Sequence, residues 1–256
     1  MMTGSSDADT LRQQLKASHS PEQIRKRLAQ RKPHSYLKDF VYGAVDGTVT
    51  TFAVVSGVAG AGLAPKVILV MGLANLLADG FSMAVSNFLG VRAEKQQVEK
   101  ARAEELLHIA VYPEGEAEEV RQIFANKGFT GEVLEQIVRI ITSSKKQWAD
   151  TMLQEEYAYP LERANPWKAA LSTFTSFITM GLVPVFPFVW NFLVSNQFRD
   201  PFLWSCLCTL VAFFFIGAIK SRFISKSWYL SGLETLVLGG AAATLAFFAG
   251  NLLKGL

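Results

Sequence analysis

Five long apolar stretches alternate with polar ones along this chain, covering about residues 37–63, 67–91, 168–197, 201–220 and 229–253. Each reaches the roughly 20 mainly apolar residues that a membrane-spanning helix requires. The pattern predicts an all-α integral membrane protein with five transmembrane helices. The third stretch is long enough to tilt, and Pro184 and Pro187 near its distal end predict a kink, because each removes a backbone donor. Most Lys, Arg, Asp and Glu lie outside these stretches. The chain therefore divides into a polar tail (1–36), spans one and two (37–91), a helical insert between spans two and three (92–167) and spans three to five (168–256).

Within the insert the pattern changes to helical periodicity. No Gly or Pro interrupts Arg92 to Val111, so span two is predicted to run on beyond the bilayer for about 30 Å at 1.5 Å per residue until Pro113 breaks it. A second helix carries the acids Glu114, Glu116, Glu118 and Glu119 and ends near Gly128. Thr130 and Gly131 open a third, whose apolar face is Val133, Leu134, Ile137, Val138 and Ile141. Ser144 and Gln147 have capping-box spacing and open a fourth, through Met152 and Glu156 toward span three.

Composition agrees with a chain that is partly in lipid. Of 256 residues, 50% are hydrophobic and the mean hydropathy is +0.22, high for a soluble protein and low for one wholly in the membrane. A formal net charge of +3 is too small and scattered to argue for nucleic acid. Residues 1–35 lack the apolar core of a signal peptide, so the tail is expected to stay in the cytosol. Arg25, Lys26, Arg27, Arg31, Lys32 and Lys38 precede span one, Arg92 and Lys95 follow span two, Lys168 opens span three, and Lys220, Arg222 and Lys226 sit between spans four and five. The opposite loops carry only Lys66, Arg199 and Lys254. The positive-inside rule then places the amino terminus, the insert and the 4–5 loop in the cytosol and the carboxyl terminus on the far side. Cys206 and Cys208 point to different helix faces and read as small packing residues.

Two isolated acids give the spans their chemistry. Asp46 is alone in the uncharged stretch 40–65, and Asp79 is alone in 67–91. An ionisable group at membrane depth costs several kcal/mol on insertion scales and is kept when an ion or proton has to meet it, so the first reading is a transporter. Asn75, Asp79, Met83 and Asn87 recur at i, i+4 spacing and form a polar stripe on span two. Asp46 lies in the Gly43–Gly47 GxxxG pattern, which permits close helix approach, and Gly43, Gly47, Ser56 and Gly60 form small-xxx-small pairs suited to packing against a twin helix. In the insert, Glu105 with His108, Glu116 with Glu119, and Met152 with Glu156 fall at i, i+3 or i, i+4 spacing on three different helices. Carboxylate, imidazole and thioether donors together suit a first-row divalent metal such as Fe²⁺ better than Ca²⁺ or Mg²⁺.

The runs Tyr42-Gly43-Ala44-Val45-Asp46-Gly47 and Ala78-Asp79-Gly80-Phe81-Ser82-Met83-Ala84, the acidic helices after span two and the Gly/Ala-rich last span together resemble the vacuolar iron transporter family over roughly residues 36–255. The resemblance implies a five-span homodimer with a cytosolic metal-binding helical domain. It also implies export of Fe²⁺ from the cytosol in exchange for protons; Mn²⁺ is read as a second ion, and a bacterial inner membrane and a vacuolar-type membrane both stay open. It assigns Asp46 and Met83 to the pore carboxylate and thioether, and Glu105, Glu116, Glu119, Met152 and Glu156 to the cytosolic metal ligands. Two positions depart from the family: His108 stands where another Glu is expected, and Asn87 where plant members carry Glu. On this reading the acidic insert collects metal, Met83 and Asp46 hold it at mid-membrane, and protons on the carboxylates favour release, with no permanently bound cofactor. The alternative is a membrane-tethered di-iron, ferritin-like iron oxidase or storage protein, since Glu105–His108 has ExxH spacing. Such sites need a second ExxH, and the insert has none.

Overall fold

The computed structural model describes residues 4–29, 34–161, 164–194, 198–223 and 226–254; Arg31, Lys32 and the 195–197 end of the third expected span lie outside the described residues. Residues 1–35 and 36–256 form separate compact units. The first holds α1 (Gly4–Ser18) and α2 (Pro21–Ala29). The second holds the five helices long and apolar enough to cross a membrane: α3 (Leu37–Gly60), α4 (Pro65–Val111), α8 (Pro166–Val194), α9 (Pro201–Lys220) and α10 (Trp228–Leu253). Between α4 and α8 come α5 (Pro113–Asn126), α6 (Gly131–Thr142) and α7 (Lys145–Glu155). The described residues contain no strand, and the chain is an all-helical, multi-pass membrane protein.

Local chemistry sets the helix limits. Gly62 takes a positive φ and lets the chain turn from α3 to Pro65, the first residue of α4. After Val111, Pro113 opens α5; Gly128, also at positive φ, follows its end. Ser144 Oγ accepts the Gln147 N–H at the start of α7, the first half of a capping box. The helix of 47 residues that is α4 extends for about 70 Å, so only its first half fits in a bilayer. α8 remains one helix through Pro184 and Pro187.

α3 is the central span and touches α4, α8, α9 and α10. Its small residues make this possible. A Cβ on Gly43 would lie 2.4 Å from the Thr173 carbonyl oxygen, and one on Gly47 would lie 2.5 Å from the Phe177 carbonyl oxygen, so α3 meets α8 backbone to backbone. At the other end a Cβ on Gly60 would lie 2.2 Å from the Phe247 carbonyl oxygen of α10. Ser56 is buried as well. This corrects one expectation: Gly43, Gly47, Ser56 and Gly60 are filled from within the chain, which leaves them unavailable to a twin helix. α4 and α10 also carry exposed apolar residues, with Val70 70% and Leu245 72% exposed.

Gly47→Ala should therefore force α3 off α8 and lower the thermal midpoint in detergent, at an overpacking cost of about 1–3 kcal/mol. Gly240→Ala is the control, because a Cβ there meets nothing within 4 Å. Equal midpoints for the two variants would show that the α3–α8 seam is not as tight as described.

Candidate functional site

Several acids of the insert are paired with basic residues, and others are not among the described residues, including the exposed Glu94, Glu114 and Glu132. Glu104 pairs with Lys100 at 3.6 Å, Glu155 pairs with Lys127, and Asp150 pairs with Arg102. Arg121 binds Glu118 and, at 2.8 Å, Glu135, and these hydrogen bonds hold both carboxyls below the usual glutamate range. The Arg102–Asp150, Arg121–Glu135 and Lys127–Glu155 pairs tie α4 to α7, α5 to α6 and the end of α5 to α7. Glu105, Glu116, Glu119 and Glu156 have no Lys or Arg partner among the described residues.

Two of these unpaired acids occupy core positions. On α4 the buried stripe of the extension is Val98, Ala101, Glu105 and Ile109; on α5 it is Glu116 and Val120. Helical spacing thus turns two carboxylates into the interior, leaving Glu105 only 1% and Glu116 only 7% exposed. His108 Nδ1 lies 3.4 Å from Glu116 Oε1, and one ligand atom each from Glu105, His108 and Glu116 fall within 4.8 Å of one another. Tyr157 donates its hydroxyl to Glu105 Oε1 at 3.1 Å. Glu105 Oε2 and Glu116 Oε2 are buried with no hydrogen-bond partner. Two orphaned carboxylate oxygens beside an imidazole are donors that could hold a divalent cation, which would supply the charge that the burial lacks.

Glu119 and Glu156 are exposed at the rim, within electrostatic reach of Glu116. Met152 is fully buried among Ile109, Val120, Val138, Ile141 and Trp148, one helical turn before Glu156. Burial, followed by the charges of Glu105 and Glu119, pushes the Glu116 carboxyl up to about 7, against a smaller lowering by His108. The same two causes in the same order raise Glu156. Burial and the bond to Glu105 raise the Tyr157 phenol.

The spans hold the second set of candidates. Asp46 is half-buried on α3 and close enough to Asp79 of α4 for the two to interact. Asp79 itself is exposed in the single chain, although the isolated acid at membrane depth suggests burial; Ser82 and Ser86 share that exposure. Met83 is half-buried one turn beyond Asp79. Asn75 donates to Thr50 Oγ1 and Thr51 Oγ1, both at 3.4 Å, across the α3–α4 seam. Asn87 donates to Asp39 Oδ1 at 2.9 Å and to Thr173 Oγ1 at 2.7 Å. The 22 residues of α4 from Met83 to Glu105 separate the two centres by about 33 Å along the helix.

Sequence reasoning missed Asp39 and Tyr157. Asp39 borders the uncharged stretch and reads as an ordinary first-turn acid until Asn87 is seen beside it. Tyr157 follows α7 outside any helix, so no periodicity points to it.

The elevated Glu116 carboxyl predicts a pH dependence. Its folded-state pKa of about 7 exceeds the ordinary 4.5, so the metal-free folded state binds the extra proton. Stability from that proton is fully present below the ordinary value and is lost as pH rises through about 7. The thermal midpoint of metal-free protein should fall from about pH 5 to about pH 8 more steeply than that of Glu116→Gln. Parallel profiles for the two proteins would remove Glu116 from the buried, like-charged setting described.

Comparison with known proteins agrees with this architecture. A model of the VIT family matches residues 37–251. A vacuolar iron transporter of Toxoplasma gondii is 33% identical over 225 residues, covering 86% of this chain and 74% of that protein. A vacuolar iron transporter of Plasmodium berghei is 29% identical over 225 residues, covering 86% and 82%, and vacuolar iron transporter 1 of Oryza sativa subsp. japonica is 29% identical over 214 residues, covering 82% of each. These relatives are named as transporters, which opposes the oxidase and storage alternative. With four spans, the intervening helices and all but the last two residues of the fifth span inside the match, the chain belongs to the VIT family.

Proposed function

We propose that this protein moves Fe²⁺, with Mn²⁺ as a second ion, out of the cytosol in exchange for protons. The observation that carries the reading is the Glu105–His108–Glu116 trio, with two buried carboxylate oxygens left without a partner. Iron as the cargo is supported by the names of the relatives. The insert, 92–167, is the cytosolic metal-binding domain, with Glu119, Met152 and Glu156 completing the donor set. The tail 1–36 and the 4–5 loop share its side of the membrane, as the basic residues there favour. Asp46 and Met83 hold the ion within the spans, Asp79 completes the charged path, and the amides of Asn75 and Asn87 line it.

Proton exchange follows from competition for the same oxygens. A carboxylate raised by burial takes a proton when the cation leaves and gives it up when one arrives. A homodimer is supported by Asp79, Ser82 and Ser86: intramembrane polar groups face protein or water rather than lipid, and a second copy on this side of α4 supplies that cover. A bacterial inner membrane and a vacuolar-type membrane both offer the required proton gradient.

Reconstituted protein should take up Fe²⁺ when a proton gradient is imposed, and Asp46→Asn should abolish that flux while the insert still binds metal. Glu105→Gln/Glu116→Gln should instead weaken apparent affinity and leave flux at high metal concentration. If Asp46→Asn carries near-normal flux, Asp46 is not on the pathway; if the double variant binds metal as tightly as the original, the trio is not the collecting site.

Met83 should set selectivity, since a thioether favours softer ions over Mg²⁺ and Ca²⁺. Met83→Leu keeps the volume and removes the sulfur. Discrimination between Fe²⁺ and Mg²⁺, read from competition in the same flux assay, should fall; unchanged discrimination assigns the sulfur to packing.

A further inference from the structure

At the end of the bundle where α3 begins, a groove of about 450 Å³ opens to the outside between α3 and α10. Val45 and Val49 of α3 and Leu238 of α10 form its apolar wall, Tyr42 stands beside it, and Lys38 and Lys220 line it as well. Lys38 is in the first turn of α3 and Lys220 is the last residue of α9, so both ammonium groups belong to the end of the groove nearest the bilayer surface. Val49 is 11 residues further along α3, or about 16 Å deeper.

The charge at the mouth is not balanced. Glu234 lies 3.9 Å from Lys220 and 3.3 Å from Lys226, so one carboxylate serves two lysines. Lys38 is exposed and has no ion-pair partner among the described residues. Three lysines therefore face one glutamate, with Arg222 exposed nearby in sequence. Tyr42, Trp228 and Tyr229 are 65%, 59% and 49% exposed at this same end. Amphipathic aromatics of this kind mark the level of lipid headgroups. An apolar slot beneath an excess of positive charge at that depth matches one class of molecule in both halves.

We infer that the α3–α10 groove is a binding site for an anionic glycerophospholipid, with one acyl chain against Val45, Val49 and Leu238 and the phosphate headgroup on Lys38 and Lys220. At about 450 Å³ the groove has the size of a small-ligand pocket, so it takes one acyl chain and not the whole lipid. Attraction of a headgroup to lysines near the surface is the usual source of selectivity for anionic lipids. Zwitterionic lipid satisfies the apolar wall equally but leaves the lysines uncompensated. The site is independent of the metal centre and stands whatever ion the protein carries.

The test uses the full chain in phosphatidylcholine vesicles with spin-labelled phosphatidylglycerol or phosphatidylcholine as probe. The association constant for phosphatidylglycerol should exceed that for phosphatidylcholine by at least about fivefold, and Lys38→Gln/Lys220→Gln should bring the ratio close to unity. Leu238→Trp, at an exposed position, should displace the motionally restricted lipid while leaving the lysines in place. Equal association in the unaltered protein, or a preference that survives the lysine substitutions, overturns the proposal. So does a disulfide formed between two copies carrying Leu238→Cys in a Cys206→Ser/Cys208→Ser background, because a second copy then occupies the groove.

Discussion

A carboxylate shut away from water has to meet a cation, a proton or a hydrogen-bond donor, and the insert is built around two that have too few of these. Removing an ion from water costs several kcal/mol even after the protein relaxes. Glu105 recovers part of this through Tyr157 and Glu116 part through His108, yet each keeps one orphaned oxygen. The acids cannot relieve the strain by swinging outward, because Glu105 and Glu116 occupy buried stripes and the Arg102, Arg121 and Lys127 ion pairs clamp the surrounding helices. A proton meets part of that need on Glu116, whose carboxyl burial raises to about 7. Under the proposed function, the same burial that makes the site bind metal makes it bind protons.

α4 carries this constraint to the membrane. One unbroken helix bears Asn75, Asp79, Met83 and Asn87 within the spans and Glu105 and His108 beyond them. No proline follows its first residue, and α4 stays one helix through Gly90, which keeps the two centres about 33 Å apart. Under the proposed function, then, metal passes between the two by diffusion, and the insert acts by raising the local concentration of the ion at the mouth of the bundle.

Much of this was legible in the chain. The apolar runs set the five spans to within a few residues, because the length of a run is what the bilayer selects, and Pro113, Gly128 and Ser144 punctuate the insert by their backbone chemistry. The inward acids were legible in part: Glu105 continues the Val98, Ala101 and Ile109 periodicity, whereas the lysines that neutralise Glu104 and Glu155 separate decoration from site only once partners are seen. Val133, grouped with the apolar face of α6, is in fact exposed, since it falls at the edge of a stripe that Leu134, Val138 and Ile141 already fill. Spacing identified Gly43 and Gly47 as a flat face on α3 but not the neighbour pressed against it, which is α8 of the same chain.

What no periodicity reveals is the knot where α4 leaves the bundle. Asn87 reaches Asp39 on α3 and Thr173 on α8, and Thr173 Oγ1 lies 3.5 Å from the Asp39 carbonyl oxygen. One turn away, Ser172 Oγ donates to the Tyr36 carbonyl oxygen at 3.1 Å, and the Tyr36 hydroxyl accepts the Asn165 N–H at 2.9 Å. Three helices separated by tens of residues in sequence are thereby tied at one level. Because α4 continues outward from this level into the insert, the knot fixes the direction in which Glu105 and His108 are carried. An amide at position 87 donates to the Asp39 carboxylate; a second carboxylate there would repel it unless a cation or proton came between them. In this chain the exit of α4 is held by a neutral hydrogen-bond donor, so the Asp39 carboxylate is met there without a second charge of its own sign.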